Sequence, residues 1–519
     1  MVIAEKLGEL TAFMGGAEHV HRLLAPLELL AAVEESSVRD ATIKSAEQVA
    51  AAMPAEHISK YYFPFVSSLA GKDWYTARIT AASLFHGVYP RIADSPAAQP
   101  FRARFVTLCG DETSMVRRSA AINLCKLAKM VKPTELWSEF METLQRLSAD
   151  EQDSIRVQIV QNCVSFASVL PQEVKLRHIL PVVLLIASDR SWRVRWSLAN
   201  QLHEICQVFG EQVTNNSLSS AFETLLGDAE AEVRSAAAAH VSAICKVLSR
   251  ETIVAKIVPA IQRLVTDASE HVRASIASVI SDVACIVGRE DTVTHLLPLL
   301  LLLLRDEVSE VRLNIILNLG AINGVVGVDL LGQSLLPAIV ELSEDSKWRV
   351  RLAIIERIPL LAEKLGRVFF DEKLSGLCLN WLTDDVYSVR RAAAENLKGL
   401  VELLGEGWAS SELLPKLEKM CTHTSHLHRM SALYVVQVVA ARLPLPVLEK
   451  VLLPLLVRMT GDAVPNVRFS VARALDAIYH AIHAAAPRAE VCGVWAKMAE
   501  DSDRDVRFFA AKSLAAIKA

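Results

Sequence analysis

The sequence predicts an all-α fold, an α-solenoid of about 13 stacked helical hairpins of 39 residues each. The first observation behind this is a fixed period. Arginine stands at Arg39, Arg78, Arg117, Arg156, Arg195, Arg234, Arg273, Arg312, Arg351, Arg390, Arg429, Arg468 and Arg507, always 39 residues apart. A constant spacing of that length marks one supersecondary unit stacked on copies of itself. The second observation is composition. Apolar residues make up 52% of the chain and aromatics 6%, so the core is expected to consist of Leu, Val, Ile and Ala, which pack helices at close range. Because 13 such periods span nearly all of the 519 residues, the chain reads as one elongated array rather than several globules.

Each unit opens with an apolar first helix. Proline lies 14 residues before the arginine in seven units, at Pro64, Pro181, Pro259, Pro298, Pro337, Pro415 and Pro454. A proline inside a helix removes a hydrogen bond and kinks the chain, so the first helices are expected to be bent. A turn follows, with aspartate 6 residues before the arginine in ten units: Asp111, Asp150, Asp189, Asp228, Asp267, Asp306, Asp345, Asp384, Asp462 and Asp501. There a carboxylate accepts bonds from free backbone N–H groups. The arginine opens the second helix, and an apolar stripe such as Ala120, Ala121, Leu124 and Cys125 runs along it at helical spacing. Alanine early in the stripe lets adjacent helices approach closely.

Aspartate and arginine share one period, so each arginine is expected to reach the aspartate of its own or the neighbouring unit. This makes a ladder of charge-assisted bonds through Asp111, Arg117, Asp150, Arg156, Asp189, Arg195, Asp228, Arg234, Asp267, Arg273, Asp306, Arg312, Asp345 and Arg351. Val33, Lys72 and His423 stand where the aspartate should be, and coupling between units is expected to be weaker there, near repeats 1 to 2 and near repeat 11.

Several function classes are disfavoured. A formal charge of −4 on so long a chain gives no field that would hold a nucleic-acid backbone. Nine cysteines without a C-x-x-C pair suggest reduced thiols in a cytoplasmic or nuclear protein, and Cys206 and Cys245, one period apart, read as small core residues. The longest apolar run, Leu296 to Leu304, is far short of the roughly 20 residues that span a bilayer. The opening MVIAEKLGEL carries acids and no apolar leader, so a soluble intracellular chain without a membrane partner is expected. Phosphate-loop, dinucleotide, nucleophile-elbow and H-E-x-x-H motifs are absent. Cys421, His423, His426 and His428 cluster, but their spacing fits no common zinc module, and neither metal nor cofactor is expected. His203 and Glu204 form the one His-Glu pair of the kind an α-solenoid di-iron hydroxylase repeats, and they read as ordinary side chains of a second helix.

Binding is the remaining class. The turns between the two helices of each unit hold Trp74, Tyr75, Met115, Arg190, Trp192, Arg193, Trp348, Arg349, Tyr387, Leu427, His428 and Arg504. Surface turns concentrate binding residues, and Trp, Tyr and Arg are the usual interface anchors.

The Pro, Asp and Val-Arg frame resembles HEAT repeats. Longer words resemble one family among them, the scaffolding A subunits of protein phosphatase 2A: VRRSAAINL (116–124), SADEQDSIR (148–156), DRSWRVRW (189–196), DAEAEVRSAAA (228–238), EVRLNIILNL (310–319), QSLLPAIVELSEDSKWRVRLAIIE (333–356) and FFDEKLSGLCLNWL (369–382). The resemblance implies a non-catalytic scaffold that joins a phosphatase catalytic subunit to a regulatory B-type subunit in a heterodimer or heterotrimer. It further implies that Trp74, Tyr75, Met115, Arg117, Arg118, Arg190, Trp192 and Arg193 face the regulatory subunit, and that Trp348, Arg349, Tyr387, Leu427, His428 and Phe469 face the catalytic subunit. The corresponding regions are residues 17–328, repeats 1 to 8, and residues 329–519, repeats 9 to 13. Residues 1–16 are expected to be a lone helix left from a repeat, since the family normally has about one and a half repeats more. An importin-β-like transport receptor is the alternative; its longer chain and acidic loop insertion fit the constant spacing less well.

Overall fold

The computed structural model describes residues 1–327, 336–365, 370, 374–483 and 485–518. The chain forms two compact units, Met1–Val287 and Gly288–Ala519, and each is a stack of helix pairs with no strand among the described residues. The border between residues 328 and 329 drawn from the sequence falls outside the described residues.

The arginine period is reproduced by the second helices. In the first unit these are Ser36–Ala52, Tyr75–Ser83, Ser114–Ala128, Asp153–Val169, Trp192–Phe209, Ala231–Ala239 and Glu270–Val287. In the second unit they are Ser309–Leu317, Trp348–Leu365, Tyr387–Trp408, His426–Val439, Pro465–Ala481 and Arg504–Lys518. The periodic arginine is the fourth residue of every one. The residue before it, as at Val116, Val194, Val233, Val350, Val389 and Val467, is fully buried. The Val-Arg word therefore pairs a side chain that fills the core with one that runs along the stack. Ala120, Ala121 and Leu124 are buried as expected, whereas Cys125 lies at the edge of the stripe and is partly exposed. Cys206 and Cys245 are free thiols whose pKa burial pushes up to about 12.

Most of the periodic arginines make two kinds of bond at once. Arg195 donates from Nε and Nη2 to both carboxylate oxygens of Asp228 in the next repeat, at 2.6 and 2.9 Å, while its Nη1 donates to the Asp189 carbonyl of its own turn at 2.7 Å. The Asp189 carboxylate in turn accepts from the Ser191 N–H at 2.8 Å, which closes the turn, and receives Arg156 from the preceding repeat. The same fork joins Arg78 to Asp111, Arg117 to Asp150, Arg156 to Asp189 and Arg234 to Asp267 in the first unit. In the second unit Arg312 pairs with Asp345, Arg351 with Asp384, Arg429 with Asp462 and Arg468 with Asp501. Of the two partners left open by the sequence, the carboxylate is thus the neighbour's and the carbonyl is the repeat's own.

Two rungs differ. Arg39, for which Lys72 holds the sequence position of the next aspartate, keeps only the carbonyls of Val33 and Glu34. Arg390 keeps the carbonyls of Asp384 and Asp385 at 2.7 and 2.9 Å, and His423 stands where its carboxylate would be. His423 still closes its own turn, since its Nδ1 accepts from the Ser425 N–H at 3.0 Å.

A second tie, absent from the sequence reading, lies six residues after the arginine. Asn162 donates to the Ala121 carbonyl of the preceding second helix at 2.9 Å, Asn396 donates to the Ile355 carbonyl, and Ser45 donates to the Ala4 carbonyl at 2.5 Å. The carbonyls gain a second acceptor bond, and the polar side chain is satisfied inside the stripe.

The proline effect takes a specific form. A five-residue π turn ends one residue before the helical segment that holds each of these prolines: Ile58–Tyr62 before Pro64, Lys175–Ile179 before Pro181, Ile253–Ile257 before Pro259, Thr292–Leu296 before Pro298, Ala409–Leu413 before Pro415 and Leu448–Leu452 before Pro454. Leu180, for example, donates to the Lys175 carbonyl five residues back. The widened turn makes room for the ring, so the helical path carries on through the proline. Thr214–Leu218 forms the same π turn ahead of Ser219 and Ser220, so the bulge belongs to the repeat geometry and proline is fitted into it. The turn ahead of Pro337 lies outside the described residues.

The first sixteen residues are not one helix. Val2–Lys6 is α-helical and Glu9–Phe13 is a 3-10 segment. At Gly8 the backbone passes so near the next helix that an added Cβ would lie 2.9 Å from the Ser45 Cα, so the close approach requires glycine. Ala4 and Leu7 are buried, and the Ser45 hydroxyl accepts from the Gly8 N–H at 3.2 Å.

Burial opposes the charged forms of Asp150, Asp189, Asp228 and Asp267, but the arginine fork and the turn N–H outweigh it and hold these carboxyls below the usual range. A carboxyl depressed in the folded state stabilises the fold above its unfolded value, and that contribution is lost as pH falls through the folded value. The contribution of these four carboxyls to the urea midpoint is therefore expected to be constant down to about pH 4 and to fall below it. Asp189→Asn is expected to lower the midpoint at neutral pH and to flatten this acid limb. His423→Asp supplies the missing carboxylate to Arg390 and is expected to raise stability by about 1 kcal/mol in urea unfolding, with slower amide exchange in His426–Val439.

Candidate protein-docking surface

The turns that precede the second helices end at a residue of extended backbone, and the next side chains leave at the helix start, where no intrahelical neighbour covers them. Trp192 and Trp348 are each the first residue of their helix, half-buried, with the following arginine stacked over the ring: Arg193 at 5.1 Å and Arg349 at 4.7 Å. Such pairs keep a large flat face and a positive charge together. Arg190 donates to the Glu151 carbonyl at 3.2 Å, and Arg193 lies 3.9 Å from Asp153. Trp74 caps Tyr75–Ser83 and is 51% exposed, with the Tyr75 ring 5.6 Å away. Met115 is 56% exposed and Leu427 42%, both two residues before the periodic arginine, and Tyr387, three residues before it, is 63% exposed.

The predicted residues gather into clefts only in part. In the second unit Tyr387, Leu427 and Phe469, from three successive second helices, line one cleft of about 230 Å³ with Arg390, Arg391, Met430, Tyr434 and Arg473. Trp348, Arg349 and His428 lie outside its lining. The His428 ring instead lies 4.0 Å from that of His423, tilted by 35°, and burial, followed by the charge of His423, lowers its pKa. In the first unit Met115 and Arg118 share a cleft of about 320 Å³ with Ile43, Ile79, Ile122 and Lys126. Trp74, Tyr75, Arg190, Trp192 and Arg193 are not part of it. Arg117 is committed to the ladder, with Nε and Nη2 on Asp150 and Nη1 on the Asp111 and Glu112 carbonyls, whereas Arg118 beside it is exposed.

Both clefts depend on positions that the turn-based reading missed. Ile79, Arg391 and Met430 stand one residue after the periodic arginine, as do Arg118 and Phe469, which the resemblance had named, and Ile122, Tyr434 and Arg473 stand five after it. The two positions are a helical turn apart on one face. Trp196 and Phe508 occupy the first of them as well and are exposed. Following the residues one and five beyond each arginine through the sequence would have found this face.

Among the described residues no group of three or more His, Cys, Asp or Glu is placed to hold a metal ion. Burial pushes the Cys421 thiol up to about 12, which disfavours the thiolate that a metal would need. His203 and Glu204 lie within Trp192–Phe209, where the His203 ring stacks on His240 at 4.4 Å. No described helix is long and apolar enough to cross a membrane.

Residues 211–288 match a PPP2R1A-like HEAT repeat model, and residues 296–325 and 374–404 match the HEAT repeat model. The chain is 39% identical over 209 residues to an A-type regulatory subunit of protein phosphatase PP2A from Schizosaccharomyces pombe, a match covering 40% of this chain and 35% of that protein. Over 183 residues it is 40% identical to a probable serine/threonine-protein phosphatase PP2A regulatory subunit of Caenorhabditis elegans, covering 35% of this chain and 31% of the relative. The chain carries HEAT repeats and is similar, over part of its length, to A-type regulatory subunits of PP2A. A protein phosphatase 2A scaffold subunit of Dictyostelium discoideum is 43% identical over 141 residues, 27% of this chain and 24% of that one. In each case the match spans about a third or less of the relative's length. Among solved structures, Kap95p from a study of RanGDP and nuclear import complex assembly superposes with a TM-score of 0.63 at 14% identity, over 99% of this chain and 70% of that one. An importin beta crystal structure gives 0.53 at 13% identity, over 99% and 71%. At such identities these likenesses show the shared solenoid fold alone.

Proposed function

We propose that the chain is a non-catalytic scaffold subunit of a Ser/Thr protein phosphatase 2A complex. Residues 329–519 hold the catalytic subunit and residues 17–328 hold a regulatory B-type subunit, in a heterodimer or heterotrimer that works in the cytoplasm and nucleus. The observation that carries this reading is the pair of WRVR turns, in which Trp192 with Arg193 and Trp348 with Arg349 present the same stacked anchor once in each unit. The names of the relatives supply the class of partner. The contribution of such a scaffold is geometric: holding two partners on one chain raises the effective concentration of a substrate at the catalytic site without new chemistry. Trp74, Tyr75, Met115 and Arg118 extend the regulatory surface, and Tyr387, Leu427, His428 and Phe469 extend the catalytic one.

Co-purification tests the division. Trp348→Ala is expected to weaken binding of a phosphatase catalytic subunit by at least about tenfold while leaving a B-type subunit bound, and Trp192→Ala to do the reverse. Equal loss of both partners from both variants, or of neither, contradicts the assignment.

A further inference from the structure

The cleft of the second unit has an electrostatic character that a turn-based contact with a partner does not account for. Arg390, Arg391 and Arg473 stand on its lining, and no carboxylate of the described residues does. Arg390 is buried and bound to two carbonyls, whereas Arg391 and Arg473 are exposed. The nearby acid Glu395 is occupied by the Tyr434 hydroxyl, which donates to it and also meets Arg391. Arg473 lies over the Phe509 ring at 5.8 Å, and Phe509 stacks on Phe469 at 5.3 Å, so this guanidinium is held over an apolar wall. Met430 lies on the lining between these groups.

We propose that this cleft docks an acidic segment of a protein partner, with an Asp or Glu received by Arg391 and Arg473 and a Leu- or Phe-sized side chain set against Met430. Guanidinium groups match carboxylates through paired N–H donors, and the apolar lining favours a large side chain beside the charge. A volume near 230 Å³ is below the roughly 300–1,000 Å³ of small-molecule sites and suits side chains projecting from a larger body. The basic character is local, because the chain as a whole has a formal charge of −4. Identifying the partner with a phosphatase catalytic subunit rests on the scaffold reading; the chemistry of the cleft does not.

A random peptide display library selected on the full chain, with counter-selection on the Arg391→Glu/Arg473→Glu variant, tests the proposal. Both side chains are exposed, and unchanged circular dichroism and melting verify that the variant is folded. The expected result is enrichment of peptides with Asp or Glu beside Leu, Phe or Met. A synthetic peptide of that kind is expected to bind the wild type at least about tenfold tighter than the variant, and its Lys-for-Glu version to prefer the variant. No enrichment, enrichment insensitive to the charge reversal, or binding that requires phosphoserine in place of Asp or Glu overturns the proposal. A parallel titration with a phosphatase catalytic subunit separates the two readings: if the wild-type chain fails to bind it, the scaffold reading falls while the peptide result still decides the cleft.

Discussion

The fork from each periodic arginine to the aspartate of the next repeat is the interaction on which the rest of the structure depends. It is formed at the point where one second helix begins, by a residue whose predecessor is locked in the core. One guanidinium spans three things: the carbonyls of its own turn, the carboxylate of the next turn, and through that carboxylate the N–H that closes it. Two helical hairpins packed only through Leu, Val and Ala have many nearly equivalent ways to slide past one another. A bidentate, partly buried ion pair has one, so hydrophobic burial supplies most of the stability and the fork selects the register.

Fixing the register also fixes what the repeats present outward. Because each second helix starts at the same place relative to its arginine, positions one and five residues beyond it align from helix to helix. They form a face on which Ile79, Arg118 and Ile122 meet in one unit and Arg391, Met430, Tyr434, Phe469 and Arg473 meet in the other. The stacked Trp-Arg pairs at the helix starts lie at another constant register. Two kinds of surface, turn anchors and clefts on the second helices, thus follow from one repeated bond. The rungs at Arg39 and Arg390 lack the carboxylate, and each of these two arginines lines the cleft of its own unit, so the ladder is weaker where the clefts lie.

The period made the helical stack and the ladder legible, because Arg and Asp are rare enough at those offsets for their recurrence to be seen without any structure. The choice between own and neighbouring aspartate was not legible, since sequence offsets of 6 and 33 residues are equally periodic and only the stacking distance separates them. The polar tie at Asn162 and Asn396 escaped because asparagine and serine replace one another there and the acceptor is a backbone carbonyl, which leaves no mark on the sequence. Proline at a constant offset suggested a bend, but the π turn that accommodates it occurs at Thr214–Leu218 without proline and so has no residue signature of its own. The turn anchors were found because tryptophan in a polar turn is conspicuous; the clefts were not, because Met430 or Ile122 in an apolar helix reads as core until the neighbouring repeats are placed beside it.

The central claim is that the arginine and aspartate of successive repeats act as one energetic unit. A double-mutant cycle with Arg195→Met and Asp228→Asn, followed by urea unfolding at neutral pH and low salt, measures that directly. The account predicts a coupling energy of about 2 kcal/mol, with the double variant markedly more stable than the sum of the single losses implies. Additive losses, with a coupling below about 0.5 kcal/mol, would mean that the two residues serve their own turns independently and that register is set by the apolar stripe alone.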